Sequence, residues 1–204
     1  MGDDRLERQI RFILEIDALK GVLRQTHLVG AGRRENSAEH SWHVAVMAVV
    51  LAEHANQPVD VGRVVRMLLL HDVVEVDAGD TYVYDPVATA GKNEREARAA
   101  DRLFGMLPAD QGRDLRALWE EFEEQTTPEA RFAAALDRLI PVLHNCATGG
   151  RSWREHGITA DRVIGRNQRM GEGSRALWSY ALARIREAVA RGDLAPARQP
   201  EQTP

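Results

Sequence analysis

Residues 61–75 limit the possible folds more than any other stretch of the chain. Val64, Val65, Met67, Leu68, Leu69 and Leu70 are apolar nearly all round a helix, and a helix of that kind belongs in the middle of a protein. Asp60 stands where an N-cap would open it. The apolar run then ends in His71-Asp72-Val73-Val74-Glu75, with Asp77, Gly79 and Asp80 close behind. On a helix these offsets put Glu75 on the same side as the His-Asp pair. A central helix therefore delivers a group of ionisable side chains at its end. Left half-buried without partners, they would cost free energy comparable with the net stability of a whole domain. Two readings are open: the pair caps a helix end, or a divalent metal compensates the charges.

The surrounding chain reads as all-α. Aromatic residues make up 5%, and alternating β-branched runs are almost absent. Helical periodicity predicts helices over 4–23, from Ser37 or Ala38 to the Asn56-Gln57-Pro58 break, and over 61–75, 93–107, 110–124, 128–147, 160–169 and 174–190. Pro141 should kink the helix that contains it or begin a new turn. Residues 24–38, with Gly30, Gly32 and the polar run Arg33-Arg34-Glu35-Asn36, read as a cationic loop, and 76–92 as a long connection of the kind that is often functional. At 204 residues the chain suits one domain over 1–192, with a Pro-containing tail, 193–204, expected to be disordered.

Charge and cysteine content exclude several functions. A formal net charge of −4 offers no field for a nucleic-acid polymer. No apolar run approaches the roughly 20 residues of a membrane span, and the start Met1-Gly2-Asp3-Asp4 is unlike a secretory signal. Cys146 is the only cysteine, so a thiolate metal cage is disfavoured and a reducing cytoplasm is expected.

Two further groups fit a metal site. His40 begins the second helix on the face of Val44, Met47 and Leu51, and Asp137 lies in the apolar run Phe132–Ile140. With His71 and Asp72 they make two imidazoles and two carboxylates, a donor set for Mn, Fe, Co, Ni or Zn. His43 and His54 read as solvated or supporting groups, and His27, His144 and His156 as structural.

The order His40, His71-Asp72, Asp137 on a helical chain resembles the HD-domain metal-dependent phosphohydrolases. Arg33-Arg34-Glu35-Asn36-Ser37-Ala38-Glu39-His40-Ser41 and His71 to Asp80 are similar to the 5'-deoxynucleotidase branch, and the likeness covers about residues 15–145. It implies an HD-domain helical bundle in which His40, His71, Asp72 and Asp137 hold one divalent transition metal. It further implies Glu75 and Asp80 as catalytic carboxylates, Arg24 as the phosphate-binding arginine, Arg33 as a second substrate-binding cation, and a homodimer. The implied substrate is a small phosphate monoester, a (deoxy)nucleoside 5'-monophosphate. Where relatives carry an aromatic that packs on the sugar this chain has Gln25, and where they often carry a lysine before the last aspartate it has Leu136. The competing expectations are a hydrolase for another small phosphate ester and a nucleotide-binding protein without turnover. A two-iron oxygenase of the same fold would need histidines between Asp72 and Asp137, and there are none.

Overall fold

Asp60 opens the central helix as its position predicts, its side chain accepting from the Arg63 amide at 3.1 Å. In the computed structural model, which describes residues 2–197, that helix is α3 (Val61–Leu70). Before it come α1 (Gly2–Glu15), a 3-10 segment (Ile16–Gly21), a hairpin of β1 (Leu23–His27) and β2 (Arg34–Asn36), and α2 (Ser37–Leu51). After it come α4 (Glu75–Ala78), α5 (Pro86–Thr89), α6 (Lys92–Met106), α7 (Ala109–Glu124), α8 (Pro128–Ala147), α9 (Arg151–Glu155), α10 (Ala160–Asn167), α11 (Met170–Gly173) and α12 (Arg175–Arg191). The architecture is helical, as expected.

Four local expectations need correction. The cationic loop is an antiparallel hairpin with Leu23 opposite Asn36 and His27 opposite Arg34; its strands are too short and polar to show alternation. The central helix stops at Leu70, because Val73 and Val74 prolong the apolar pattern while the chain turns through 71–74. Pro141 stands inside α8 without ending it. Its carbonyl accepts from Asn145 Nδ2 at 3.0 Å, and its neighbours Ile140 and Val142 are buried in the main core. In the expected tail, Leu194 is buried and Ala195 bridges to Thr159, so order extends at least that far; residues 198–204 lie outside the described part.

α8 is the axis of the main core, packed against α2, α3, α7, α11 and α12. Phe132, Leu136, Leu139 and Ile140 meet Val44, Val64, Met67, Leu68 and Ile185 there. A second cluster joins Phe12, Leu19, Leu103, Phe104 and Trp119 to Val73 and Val74. Leu70 touches both clusters. The turn carrying His71 and Asp72 is thus clamped between two apolar bodies, which is why its ionisable groups are held in place. No helix among the described residues is long and apolar enough to cross a membrane.

Candidate active site

Each expected metal ligand is placed by a different local device. Asn36 caps α2 in a reciprocal capping box with Glu39, which sets the first turn and points His40 inward at 0% exposure. His71 follows the last residue of α3, and its Nδ1 lies 2.8 Å from the Leu68 carbonyl. A carbonyl can only accept, so Nδ1 carries the proton and the Nε2 lone pair is left for the site. That Nε2 is shielded from solvent and has no hydrogen-bond partner. Asp137 projects from the middle of α8, half-buried and facing a cleft rather than enclosed in the core.

The four side chains converge. His40 Nε2 lies 3.0 Å from Asp137 Oδ1 and 3.9 Å from Asp72 Oδ2. His71 Nε2 lies 3.1 Å from Asp72 Oδ1 and 3.7 Å from Asp137 Oδ1. Ligand atoms of His40, His71 and Asp72 lie within 4.8 Å of one another, and Asp137 Oδ1 faces both imidazoles; two imidazoles and two carboxylates suit a first-row divalent ion, so the donor set and the unpartnered His71 nitrogen fit a metal. Without one, burial opposes the charge on His71 but Asp72 and Asp137 outweigh it, and its pKa is pushed up to about 9. Burial likewise opposes the Asp137 charge, yet the hydrogen bond from His40 and the neighbouring His71 imidazole hold that carboxyl well below its ordinary range.

The expected catalytic carboxyls adjoin this set and behave differently. Glu75 is buried, and burial together with the Asp72 charge raises its pKa well above the usual value. Ser37 Oγ donates to Glu75 Oε2 at 2.5 Å. Asp80 is also raised, first by burial, with the Arg24 charge opposing and Asp72 reinforcing. Arg24 extends from β1 to donate to Asp72 Oδ2 at 2.7 Å, with Asp80 Oδ1 at 3.9 Å and Asp137 Oδ1 at 4.0 Å. Arg24, Asp80 and Asp137 line a cleft of about 100 Å³. Gln25, Tyr82, Tyr84 and Trp153 line its walls.

Arg33 is the exception among the expected site residues. Its exposed guanidinium donates to both carboxylate oxygens of Glu39, at 2.9 and 2.5 Å, and does not line the cleft. The capping-box glutamate occupies it, so its placement gives no support to substrate binding.

Sequence reasoning passed over three residues. Glu35, read as part of a polar loop, is 1% exposed beside His40. Ser37, read only as a helix start, orients Glu75. Lys92, at the start of α6, lies 3.2 Å from Glu96, and its charge also acts on Asp72 and Asp80. It supplies a cation near the site where Leu136, 0% exposed, cannot. The Asn36–Glu39 capping box was the one sequence signal that could have turned attention to the residues around Ser37.

Comparison with known proteins agrees with this arrangement. The family model described as HD domain matches residues 16–178. The chain is 34% identical over 142 residues to the 5'-deoxynucleotidase HDDC2 of Bos taurus, covering 67% of each chain. It is 32% identical over 138 residues to the Homo sapiens protein of that name, covering 65% of this chain and 66% of that one. The chain thus aligns with about two thirds of the length of these curated relatives. A crystal structure of a predicted metal-dependent phosphohydrolase from Magnetospirillum magnetotacticum MS-1 superposes with a TM-score of 0.92 at 54% identity, over 96% of this chain and 98% of that one. With His40, His71 and Asp72 grouped and Asp137 against both imidazoles, and the family model spanning most of the sequence, the chain belongs to the HD-domain family.

Proposed function

We propose that the protein is a metal-dependent phosphomonoesterase that hydrolyses nucleoside 5'-monophosphates, deoxy forms included, to nucleoside and phosphate. The observation that carries this reading is the packing of the Arg24 guanidinium, the His40, His71, Asp72 and Asp137 set and two carboxyls with raised pKa against one another beside the cleft. The names of the curated relatives support the substrate class. His40, His71, Asp72 and Asp137 would hold one divalent transition ion, which when bound polarises a phosphoryl oxygen and acidifies a water. Arg24 binds non-bridging phosphate oxygens, its planar fork matching their geometry. Hydrolysis forms a new phosphorus–oxygen bond from water and breaks the bond to the 5'-oxygen. The water loses a proton and the departing alkoxide gains one. Glu75 and Asp80 are the carboxyls placed to move those protons, and burial raises the pKa of each in the metal-free protein.

Gln25 lines the cleft, at the position where the resemblance to the 5'-deoxynucleotidase branch implies an aromatic against the sugar. A polar, flexible side chain rejects an added hydroxyl poorly and can hydrogen-bond a 2'-OH, worth about 1 kcal/mol. Weak discrimination between ribo and deoxyribo substrates is expected. The test is kcat/KM for AMP and dAMP with the same reconstituted metal. Absence of turnover on every nucleoside monophosphate would sink the reading, and a deoxy preference above roughly a hundredfold would sink the role of Gln25.

A homodimer is part of the same proposal. Trp42, Val46, Val49 and Val50 make a stripe on α2 that is 42–65% exposed, an apolar face of the kind that a second copy covers. Light scattering on the purified chain should give twice the monomer mass, and Val49→Glu should halve it; a monomeric wild type rejects the dimer. A cytoplasmic setting, suggested by the single Cys146, completes the reading.

A further inference from the structure

Glu35 is 1% exposed, and neither of its carboxylate oxygens has a hydrogen-bond partner among the described residues. A buried carboxylate without partners is strongly destabilised, so compensation has to come from the groups around it. Three nitrogens surround Oε2: His40 Nδ1 at 3.5 Å, Arg24 Nε at 3.9 Å and His144 Nδ1 at 3.9 Å. Each of the three is itself shielded from solvent and unpartnered. Four orphaned polar groups thus face one another slightly beyond hydrogen-bonding distance, and a shift of a few tenths of an ångström pairs them.

We infer that Glu35 is a positioning residue that fixes the His40 imidazole and the Arg24 guanidinium at once. This rests on the reading of His40 as a metal ligand and Arg24 as the phosphate fork. With an ion held between His40 Nε2 and the Asp72 and Asp137 carboxylates, Nε2 would be the ligating atom and Nδ1 would carry the proton, and Glu35 is the carboxylate placed to accept it. A carboxylate behind a ligating imidazole locks its tautomer and ring orientation and raises its basicity. The hairpin makes the arrangement possible, because pairing of β1 with β2 sets Arg24 beside Glu35. One side chain on β2 therefore ties the metal-binding helix α2 to the phosphate-binding strand β1.

A different use of the same residue is a second metal site, since ligand atoms of Glu35, His43 and His144 all lie within 4.8 Å of one another. Two observations weigh against it. The Arg24 guanidinium, which does not give up its charge, stands 3.9 Å from the oxygen that such an ion would need. That oxygen is also nearer to His40 than to His144.

The experiment is Co(II) titration of the full chain, read by calorimetry and by the visible absorption of the bound ion. Wild type, Glu35→Gln, Glu35→Leu and His144→Ala are compared. Gln keeps an acceptor for His40 Nδ1–H but loses the charge, and is expected to weaken binding roughly tenfold; Leu removes both and is expected to weaken it roughly a hundredfold, the range known for groups behind metal ligands. The absorption band should shift for Leu, while His144→Ala keeps the wild-type stoichiometry. A wild-type dissociation constant and band in Glu35→Gln overturns the inference even if Glu35→Leu does not fold. Loss of one of two bound equivalents in His144→Ala overturns it in favour of a second ion. A wild type that binds no Co(II) at all rejects the metal reading beneath it, an outcome distinct from normal binding in the Glu35 variants.

Discussion

At the scale of single residues, Glu75 depends most on its surroundings. Burial and the Asp72 charge favour its neutral form, while Arg24 and the Ser37 hydroxyl favour the anion. As a proton-moving group outside the ligand set, it should be separable from metal retention. Glu75→Ala is expected to keep its metal and lose turnover by roughly 10²-fold or more; near-normal kcat with full metal content would reject the role. The raised pKa also has a consequence for stability. Because the folded state holds the proton more tightly than the unfolded chain does, stability of the metal-free protein falls as pH rises from the unfolded value through the folded one. Glu75→Gln, neutral at every pH, removes that loss. In chelator its Tm should exceed that of wild type at pH 8 by more than at pH 5. The gain should be roughly 2–4 °C for each kcal/mol of relieved strain, given a chain of this size. An identical pH profile in both proteins would show that Glu75 ionises freely in the fold.

At the scale of elements, close backbone approach explains glycines that no local pattern requires. A Cβ on Gly173 would lie 2.1 Å from the Arg131 carbonyl oxygen and 2.9 Å from Phe132 Cα, so α11 is pressed directly onto α8. Gly173→Ala should destabilise the protein by about 1–3 kcal/mol through forced separation of the two helices. Gly165 in α10 is the control: nothing stands within 4 Å of its Cβ position, and Gly165→Ala should stabilise by about 0.5–1 kcal/mol. Urea unfolding of both variants checks this, and equal effects of the same sign would refute the packing account. Such tertiary facts mark the limit of what the sequence discloses. The long helices were legible because apolar residues such as Phe132, Leu136, Leu139 and Ile140 in α8 recur at helical spacing in segments long enough to show a period. The hairpin was not, since Leu23-Arg24-Gln25-Thr26-His27 has no alternation and its register depends on a turn at Gly30 and Gly32 with φ of 78° and 65°. His40, His71, Asp72 and Asp137 stood out as ionisable groups within apolar helices. Glu35 did not, because its burial comes from that unread hairpin folding inward.

At the scale of the whole molecule, the proposed metal site is a junction of parts distant in sequence. His40 comes from α2, His71 and Asp72 from the turn after α3, and Asp137 from α8, and these helices pack on one another around the main core. The unfolded chain cannot present the four groups together, so an ion that binds them binds the folded state and stabilises it by mass action. At a free concentration of 100 times the dissociation constant the gain is about 2.7 kcal/mol. For a chain of this length that corresponds to a rise in Tm of roughly 5–11 °C. The rise should be seen on adding Mn(II) or Co(II) to chelator-treated protein and should reverse with excess chelator. Asp137→Ala removes the ligand oxygen that approaches both imidazoles, at 3.0 and 3.7 Å, and should abolish most of the shift. Glu75→Ala, which leaves all four ligands in place, should retain it. A metal-induced shift in Asp137→Ala equal to that of wild type would place the ion elsewhere and remove the basis for the proposed chemistry.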